Sequence, residues 1–324
     1  MKGKCFENVS PWGLAINRVR FFFQIHYKSF RARYLDRLKL EIYWQELLYF
    51  CRSFLALLSF PVLINRYFRK KNFSRFIVVT TLYNEENEKR RCEYIRCLQK
   101  NLQNKNVKQI VVFYDTLKSK EFESDDLYRQ IAKLEGVDVE LIQGRPPYSL
   151  IVDFVNKNFA GEHIIICNAD IFFNHTLRFV NLVDLKKSII SLTRWEYNKF
   201  GLHKLFTPNL GRIPAKYFIE GRSQDAWIFK APLHGLGNTK VEIGTHCCDS
   251  FLNYVLKTKV KRRVINPCYQ VRAYHLHQSA VKSQDDVENK KRRMSDFLRE
   301  QEKKGYVQDS VPFSFLRDDY VSLR

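Results

Sequence analysis

Four short apolar runs, Phe76–Thr81, Gln109–Tyr114, Val137–Ile142 and His163–Cys167, alternate with polar segments of helical spacing around Glu86–Leu102, Asp125–Leu134 and Ser149–Phe159. Runs of that length rich in β-branched and aromatic residues read as strands, and apolar positions three and four apart read as helix faces. Strand–helix alternation with short joints predicts an α/β fold, a mostly parallel twisted sheet with helices on both faces. Ligands collect at the carboxyl ends of such strands. The positions to inspect are therefore Thr81-Leu82-Tyr83-Asn84, Asp115-Thr116, Gly144-Arg145 and Asn168-Ala169-Asp170.

The fourth run continues through Asn168-Ala169-Asp170 into Ile171-Phe172-Phe173, so Asp170 is a single acid inside an apolar stretch. A carboxylate there needs a metal ion or a hydrogen-bond network to offset its burial. The alternative is that Asp170 caps a helix beginning near Thr176 or closes a turn. After Ile190 the periodicity weakens, and residues 193–224 read as loops over one face of the sheet. Ala226–Lys230 reads as a returning strand, Asp249–Leu256 as a helix and Arg263–Ile265 as a short strand. Val281–Lys304 reads as a charged helix or flexible tail.

At 324 residues and 45% hydrophobic content the chain can bury a full core, which excludes a disordered protein. Its formal charge of +21 is unevenly spread: residues 1–76 hold 15 Lys/Arg against 4 Asp/Glu. A basic surplus serves nucleic acid, an anionic membrane or an anionic substrate equally well. Within that segment Leu47–Ile64 is apolar apart from Arg52 and two serines, with Pro61 inside it and basic residues at both ends. That pattern suits lying on a membrane surface better than crossing it, and it also suits a helix packed on the core or on a partner. No cleavable signal peptide is evident. The eight cysteines show no framework spacing and point to a reducing compartment. The chain thus divides into a basic, partly apolar helical extension (1–75), an α/β domain (76–280) and a charged C-terminal segment (281–324).

The region Phe76–Ser279, about two thirds of the chain, resembles the GT-A class of nucleotide-sugar glycosyltransferases, particularly small enzymes of bacterial surface-polysaccharide synthesis and related large-DNA-virus proteins. The matching pieces, in order, are Tyr83-Asn84 with Arg90-Arg91-Cys92-Glu93 and Asn101; Gly144-Arg145-Pro146-Pro147-Tyr148; Asn168-Ala169-Asp170-Ile171; Ser223 to Lys230; Cys248-Asp249; Asn266-Pro267; and His275-Leu276-His277. The resemblance implies a hexosyltransferase-like enzyme that takes a nucleoside diphosphate sugar, a UDP-sugar foremost, and a glycan, lipid-linked or polysaccharide acceptor. It implies Mn²⁺ or Mg²⁺ held by Asp170 and His277, with His275 as the alternative histidine. The family's Asp-x-Asp motif carries Asn168 in its first place, and an amide brings no charge to the metal. Thr81, Tyr83 and Asp115 would meet the base or ribose, Arg90 and Glu93 would form a wall of the nucleotide site or a plain intrahelical pair, and Arg145 would grip the diphosphate. Asp249, at a helix start, would be the general base or merely the N-cap; Asp225 is the rival base or a partner of the donor sugar's hydroxyls, and Trp227 offers a face to a sugar ring.

Two other classes compete. A nucleotidyltransferase would show a Gly-rich phosphate loop, and Tyr83–Arg91 contains no glycine. A non-enzymatic basic protein would bind nucleic acid or anionic membrane through basic residues interleaved with aromatics, as at residues 18–34, but leaves the strand-end acids unexplained. The expectation is therefore a metal-dependent transferase, with no nucleic acid partner, working in the cytoplasm at the membrane surface.

Overall fold

A computed structural model describes residues 73–117, 122–197, 223–245 and 247–279, the backbone of 203–205, parts of 51–65, and residues 303, 309, 311, 314 and 316. The chain divides into two compact units, Met1–Cys51 and Arg52–Arg324, and of the first only Cys51 is described. Most of the basic extension, His246 and nearly all of 281–324 therefore lie outside the described residues.

The four expected strands form, and they pair in parallel. β1 (Phe76–Tyr83), β2 (Val107–Asp115), β3 (Val137–Ile142) and β4 (His163–Cys167) take the order β3-β2-β1-β4. β1 is buried on both faces along Phe76–Thr80, which is why its sequence runs apolar without alternation. Three crossover helices return the chain: α1 (Glu88–Leu102), α2 (Asp126–Ala132) and α3 (Tyr148–Asn158). The Asn87 side chain caps α1 by accepting from Arg90 N–H (3.1 Å), and Asp125 caps α2 by accepting from Leu127 N–H (2.9 Å).

Beyond β4 the sheet is mixed. β5 (Ile171–Phe173), a 3₁₀ turn at His175–Leu182, β6 (Ser188–Tyr197), β7 (His203–Leu205), β8 (Gln224–Lys230), helix α4 (Cys248–Lys259), β9 (Arg263–Ile265) and β10 (Ala273–His275) follow. The path continues β4-β8-β6-β10-β5, with β7 and β9 also on β6. β8 is antiparallel to both β4 and β6, whereas β10 runs parallel to β6 and antiparallel to β5. The α/β class holds, but the sheet's second half is mixed and not a continuation of the parallel array. The expected loop from residue 193 also begins later, because β6 extends to Tyr197.

α3 and α4 cover one face. Ile151, Val155, Phe251 and Leu252 pack there with Ile77, Val79, Ile164, Ile166 and Trp227 in a single buried cluster. Within it Tyr148 meets Trp227 edge to face at 5.2 Å. α1 packs on β2 and β5 from the other face. Its Asn101 stitches β5 in place, donating to the Ile171 carbonyl (2.9 Å) and accepting from Phe173 N–H (3.0 Å).

Candidate active site

The parallel strands end where the sequence places them. Tyr83 and Asp115 are register partners at the ends of β1 and β2. Asp115 Oδ1 accepts from Leu117 N–H (2.9 Å) and Gly144 N–H (2.7 Å), so it ties the loops after β2 and β3 together. Gly144 sits at φ +81°, a conformation that favours glycine. Arg145 follows it, half-buried, and Thr81 is half-buried at the same edge. Burial, then the charge of Glu85, pushes the Tyr83 phenol up, and its hydroxyl donates to Glu85 Oε2 (3.1 Å).

A second group gathers where the two halves of the sheet meet. The chain leaves β4 through Asn168 and turns into β5, and Asp170 lies in that turn. Asp170 does not cap the following 3₁₀ helix; the side chain of Asn174 does, accepting from Thr176 N–H (3.0 Å). Asp170 is instead buried. Its Oδ2 accepts from Arg90 Nη2 (2.5 Å) and lies 3.1 Å from His275 Nε2. Burial raises a carboxylate's pKa, but here the charges and hydrogen bonds of His275 and Arg90 prevail and hold Asp170 well below the usual range.

β10 brings His275 opposite two partners, Ile171 of β5 and Glu196 of β6. His275 Nδ1 contacts Glu196 Oε2 at 2.8 Å. Burial works against the imidazolium, yet Asp170 and Glu196 outweigh it and push the pKa up to about 9. Arg194, two residues before Glu196 and so on the same strand face, pairs with Glu196 Oε1 (2.7 Å) and Asp225 Oδ2 (3.1 Å). Asn168 completes the ring by donating from Nδ2 to Asp225 Oδ1 (3.0 Å).

Asp225 is buried at the start of β8, and burial, reinforced by the charges of Asp249 and Asp170, pushes its carboxyl up to about 6 against the pull of Arg194 and His275. Asp249 lies in the first turn of α4 and is not its N-cap; that place belongs to Cys247, at φ +59° with no side-chain cap bond. Burial raises Asp249 as well, opposed by backbone N–H groups including those of Ser250 and Gln224 and by the charge of Arg194. The helix start thus does not prevail in keeping Asp249 more acidic than usual.

Asp170, His275 and His277 offer three ligand atoms within 4.8 Å of one another. The Oδ1 of Asp170 is buried with no hydrogen-bond partner among the described residues. A buried carboxylate with one unsatisfied oxygen and two imidazoles nearby are donor types that a divalent cation accepts. The contact from Glu196 to His275 Nδ1 is the kind of support that metal-binding histidines use, and it would hold the ring if Nε2, now 3.1 Å from Asp170 Oδ2, were to ligate an ion. Among the described residues five carboxylates, Glu93, Asp170, Glu196, Asp225 and Asp249, are linked through these contacts or couplings to three cationic groups, Arg90, Arg194 and the His275 imidazolium. The acid excess favours a cation, and the residues fit one.

The structure therefore brings together Asn168, Asp170, Arg90, His275, His277 and Asp225, and couples Asp249 to Asp225 electrostatically. Thr81, Tyr83, Asp115 and Arg145 remain on the edge of the parallel half. Arg90 is turned inward as the counter-ion of Asp170 and Glu93. Trp227, expected to face a sugar, is 2% exposed and donates to Asn253 Oδ1 (3.2 Å), so it belongs to the core. Arg194 and Glu196 were not anticipated. Their period-2 spacing in Arg194-Trp195-Glu196, continuing the apolar run from Ile189, is the signal that would have revealed a strand carrying both.

No protein-family model matches the chain, and no curated protein matches its sequence. Among solved structures it is similar to GalNAc-T7 with UDP, GalNAc and Mn²⁺ (TM-score 0.39, 13% identity, 64% of this chain and 44% of that one). It is similar also to S. aureus TarS (0.37, 17%, 66% and 38%) and to the T. maritima inositol-1-phosphate CTP transferase (0.36, 12%, 66% and 94%). The chain spans less than half the length of the first two. Likenesses this distant carry no function by themselves; the chemistry rests on the side chains above.

Proposed function

We propose that the protein transfers a sugar from a nucleoside diphosphate sugar, a UDP-sugar foremost, to a hydroxyl of a glycan or lipid-linked acceptor. The observation that carries this is the convergence of Asp170, His275 and His277, with Asp170 Oδ1 buried and unpartnered, at the carboxyl edge of the sheet. Mn²⁺ or Mg²⁺ held by these residues supplies Lewis-acid stabilisation of the departing diphosphate. Arg145 shares that task by gripping phosphate oxygens, while Thr81, Tyr83 and Asp115 receive the base and ribose. Asn168 contributes by holding Asp225 in place with its amide. Asp225 orients the donor sugar's hydroxyls. Asp249 takes the proton of the acceptor hydroxyl, and its raised proton affinity makes it a stronger base than an ordinary aspartate. Residues 1–75 hold the domain to an anionic membrane surface on the cytoplasmic side.

Thermal unfolding against UDP-, GDP-, CMP- and dTDP-sugars, with and without Mn²⁺, tests the reading. A UDP-sugar with Mn²⁺ is expected to stabilise the protein by about 2.7 kcal/mol at a hundredfold excess over Kd. Asp170→Ala should abolish the Mn²⁺-dependent part, and its survival would refute the metal assignment. Asp249→Asn should lower turnover by about 100-fold or more with the donor shift retained; unchanged turnover would remove Asp249 from the role of base.

A further inference from the structure

His277 stands two residues past the end of β10, and the main chain around it is pinned from both sides. Ahead of it, Leu276 N–H donates to the Asp170 carbonyl (2.9 Å). Behind it, the N–H groups of Gln278 and Ser279 both donate to Glu93 Oε1, at 2.6 and 2.7 Å, and Ser279 Oγ donates to Glu93 Oε2 (3.2 Å). Arg90 closes the circuit, binding Glu93 Oε2 with Nη1 (2.7 Å) and Asp170 Oδ2 with Nη2 (2.5 Å). An i,i+3 pair that only stabilises a helix works at the surface and needs no such donors. Glu93 is 8% exposed and spends its oxygens on a segment far away in sequence.

We propose that Glu93 is the positioning residue for His277. By accepting from the two backbone N–H groups that follow, it fixes the path of residues 276–279 and so holds the His277 ring toward Asp170 and His275. This rests on the metal reading above, and it assigns to Glu93 no contact with the ion.

The test is Mn²⁺ affinity, read from loss of the free-ion EPR signal, in the full chain and in Glu93→Ala, His277→Ala and the double variant. Support residues of metal ligands typically cost 10–100-fold in affinity. Glu93→Ala is expected to weaken Mn²⁺ at least tenfold, Glu93→Gln, which keeps the acceptor oxygen for the backbone, to recover most of that, and the double variant to bind within about twofold of His277→Ala alone. A merely structural glutamate would instead give losses that multiply in the double variant, which would overturn the assignment, as would an unchanged affinity in Glu93→Ala. If the wild-type chain does not bind Mn²⁺, or His277→Ala binds it fully, the metal reading itself fails and the role of Glu93 falls with it. Should Glu93→Ala not fold, Ser279→Pro removes both Ser279 donors, the N–H and the hydroxyl, from the other side of the same clamp and carries the same expectations, with Ser279→Ala as the control that removes the hydroxyl alone.

Discussion

Asp170 sends its two oxygens into different surroundings, one bound by Arg90 and near His275, the other buried and bare. Removing Arg90 would leave that carboxylate without its guanidinium, so Arg90→Met should destabilise the metal-free protein by about 3–5 kcal/mol in urea unfolding, with part of the loss restored by Mn²⁺. Asp225 makes the opposite kind of prediction. Its folded pKa of about 6 lies above that of an unfolded aspartate, so the folded state binds the extra proton. Its contribution to stability is therefore full below about pH 4 and is lost as pH rises through about 6. The stability of wild type minus that of Asp225→Asn should fall by about 2–3 kcal/mol between pH 4 and pH 7, and a flat difference would show that Asp225 titrates normally. At this scale the sequence exposed Asp170, because an acid in an apolar strand exit has few innocent explanations; it paired His275 with His277 as alternate positions of one strand, whereas β10 ends at His275 and His277 lies two residues beyond it. It did not expose which oxygen pairs with which cation, since those partners lie 80 to 105 residues apart.

Among the elements, β6 changes company along its length. Ser188–Ile190 pair with β9, the stretch to Thr193 pairs with β8, and Arg194–Glu196 pair with β10. The register shifts between Leu192 and Thr193, and there Asn266 accepts from Thr193 N–H (3.1 Å) and donates to Thr193 Oγ1 (2.9 Å) and the Val311 carbonyl (3.0 Å). Asn266→Ala should cost about 1–3 kcal/mol in stability through the buried groups it leaves unpaired, measured by denaturant unfolding. Cys247 offers a gain instead: it holds φ +59° without a side-chain cap, so Cys247→Gly should stabilise α4 by about 1 kcal/mol. The parallel half was legible because β1, β2 and β4 are apolar runs and β1, β2 and β3 are each followed by a segment of helical spacing. In the mixed half β8, β9 and α4 were legible as Ala226–Lys230, Arg263–Ile265 and Asp249–Leu256, whereas β5, β7 and β10 are three residues each, shorter than any periodicity can register, and the pairing of all these strands is set by remote contacts.

For the molecule as a whole, no helix among the described residues is long and apolar enough to cross a membrane. The described cysteines, Cys51, Cys92, Cys97, Cys167, Cys247, Cys248 and Cys268, are free thiols. Phe54, Leu55, Leu58 and Val62 each expose half or more of their surface next to a strongly basic sequence. If that segment meets an anionic bilayer, the full chain should co-sediment with phosphatidylserine vesicles but not with neutral ones, and should be released as salt rises from about 50 to 300 mM. Phe54→Ser with Leu58→Ser should weaken the association several-fold, and equal binding to neutral vesicles would point to adsorption without charge selectivity. The charge asymmetry was plain in composition, whereas what it touches depends on surfaces that composition does not describe. β6 has a bearing on how such a protein diversifies. Because one strand supplies Ile189 and Ile190 to the interior and Arg194 and Glu196 to the cluster around Asp225 and His275, a change along it disturbs the core and that cluster together. If the proposed sugar transfer holds, laboratory evolution toward other sugars should accumulate its changes in the connecting loops and spare that ribbon.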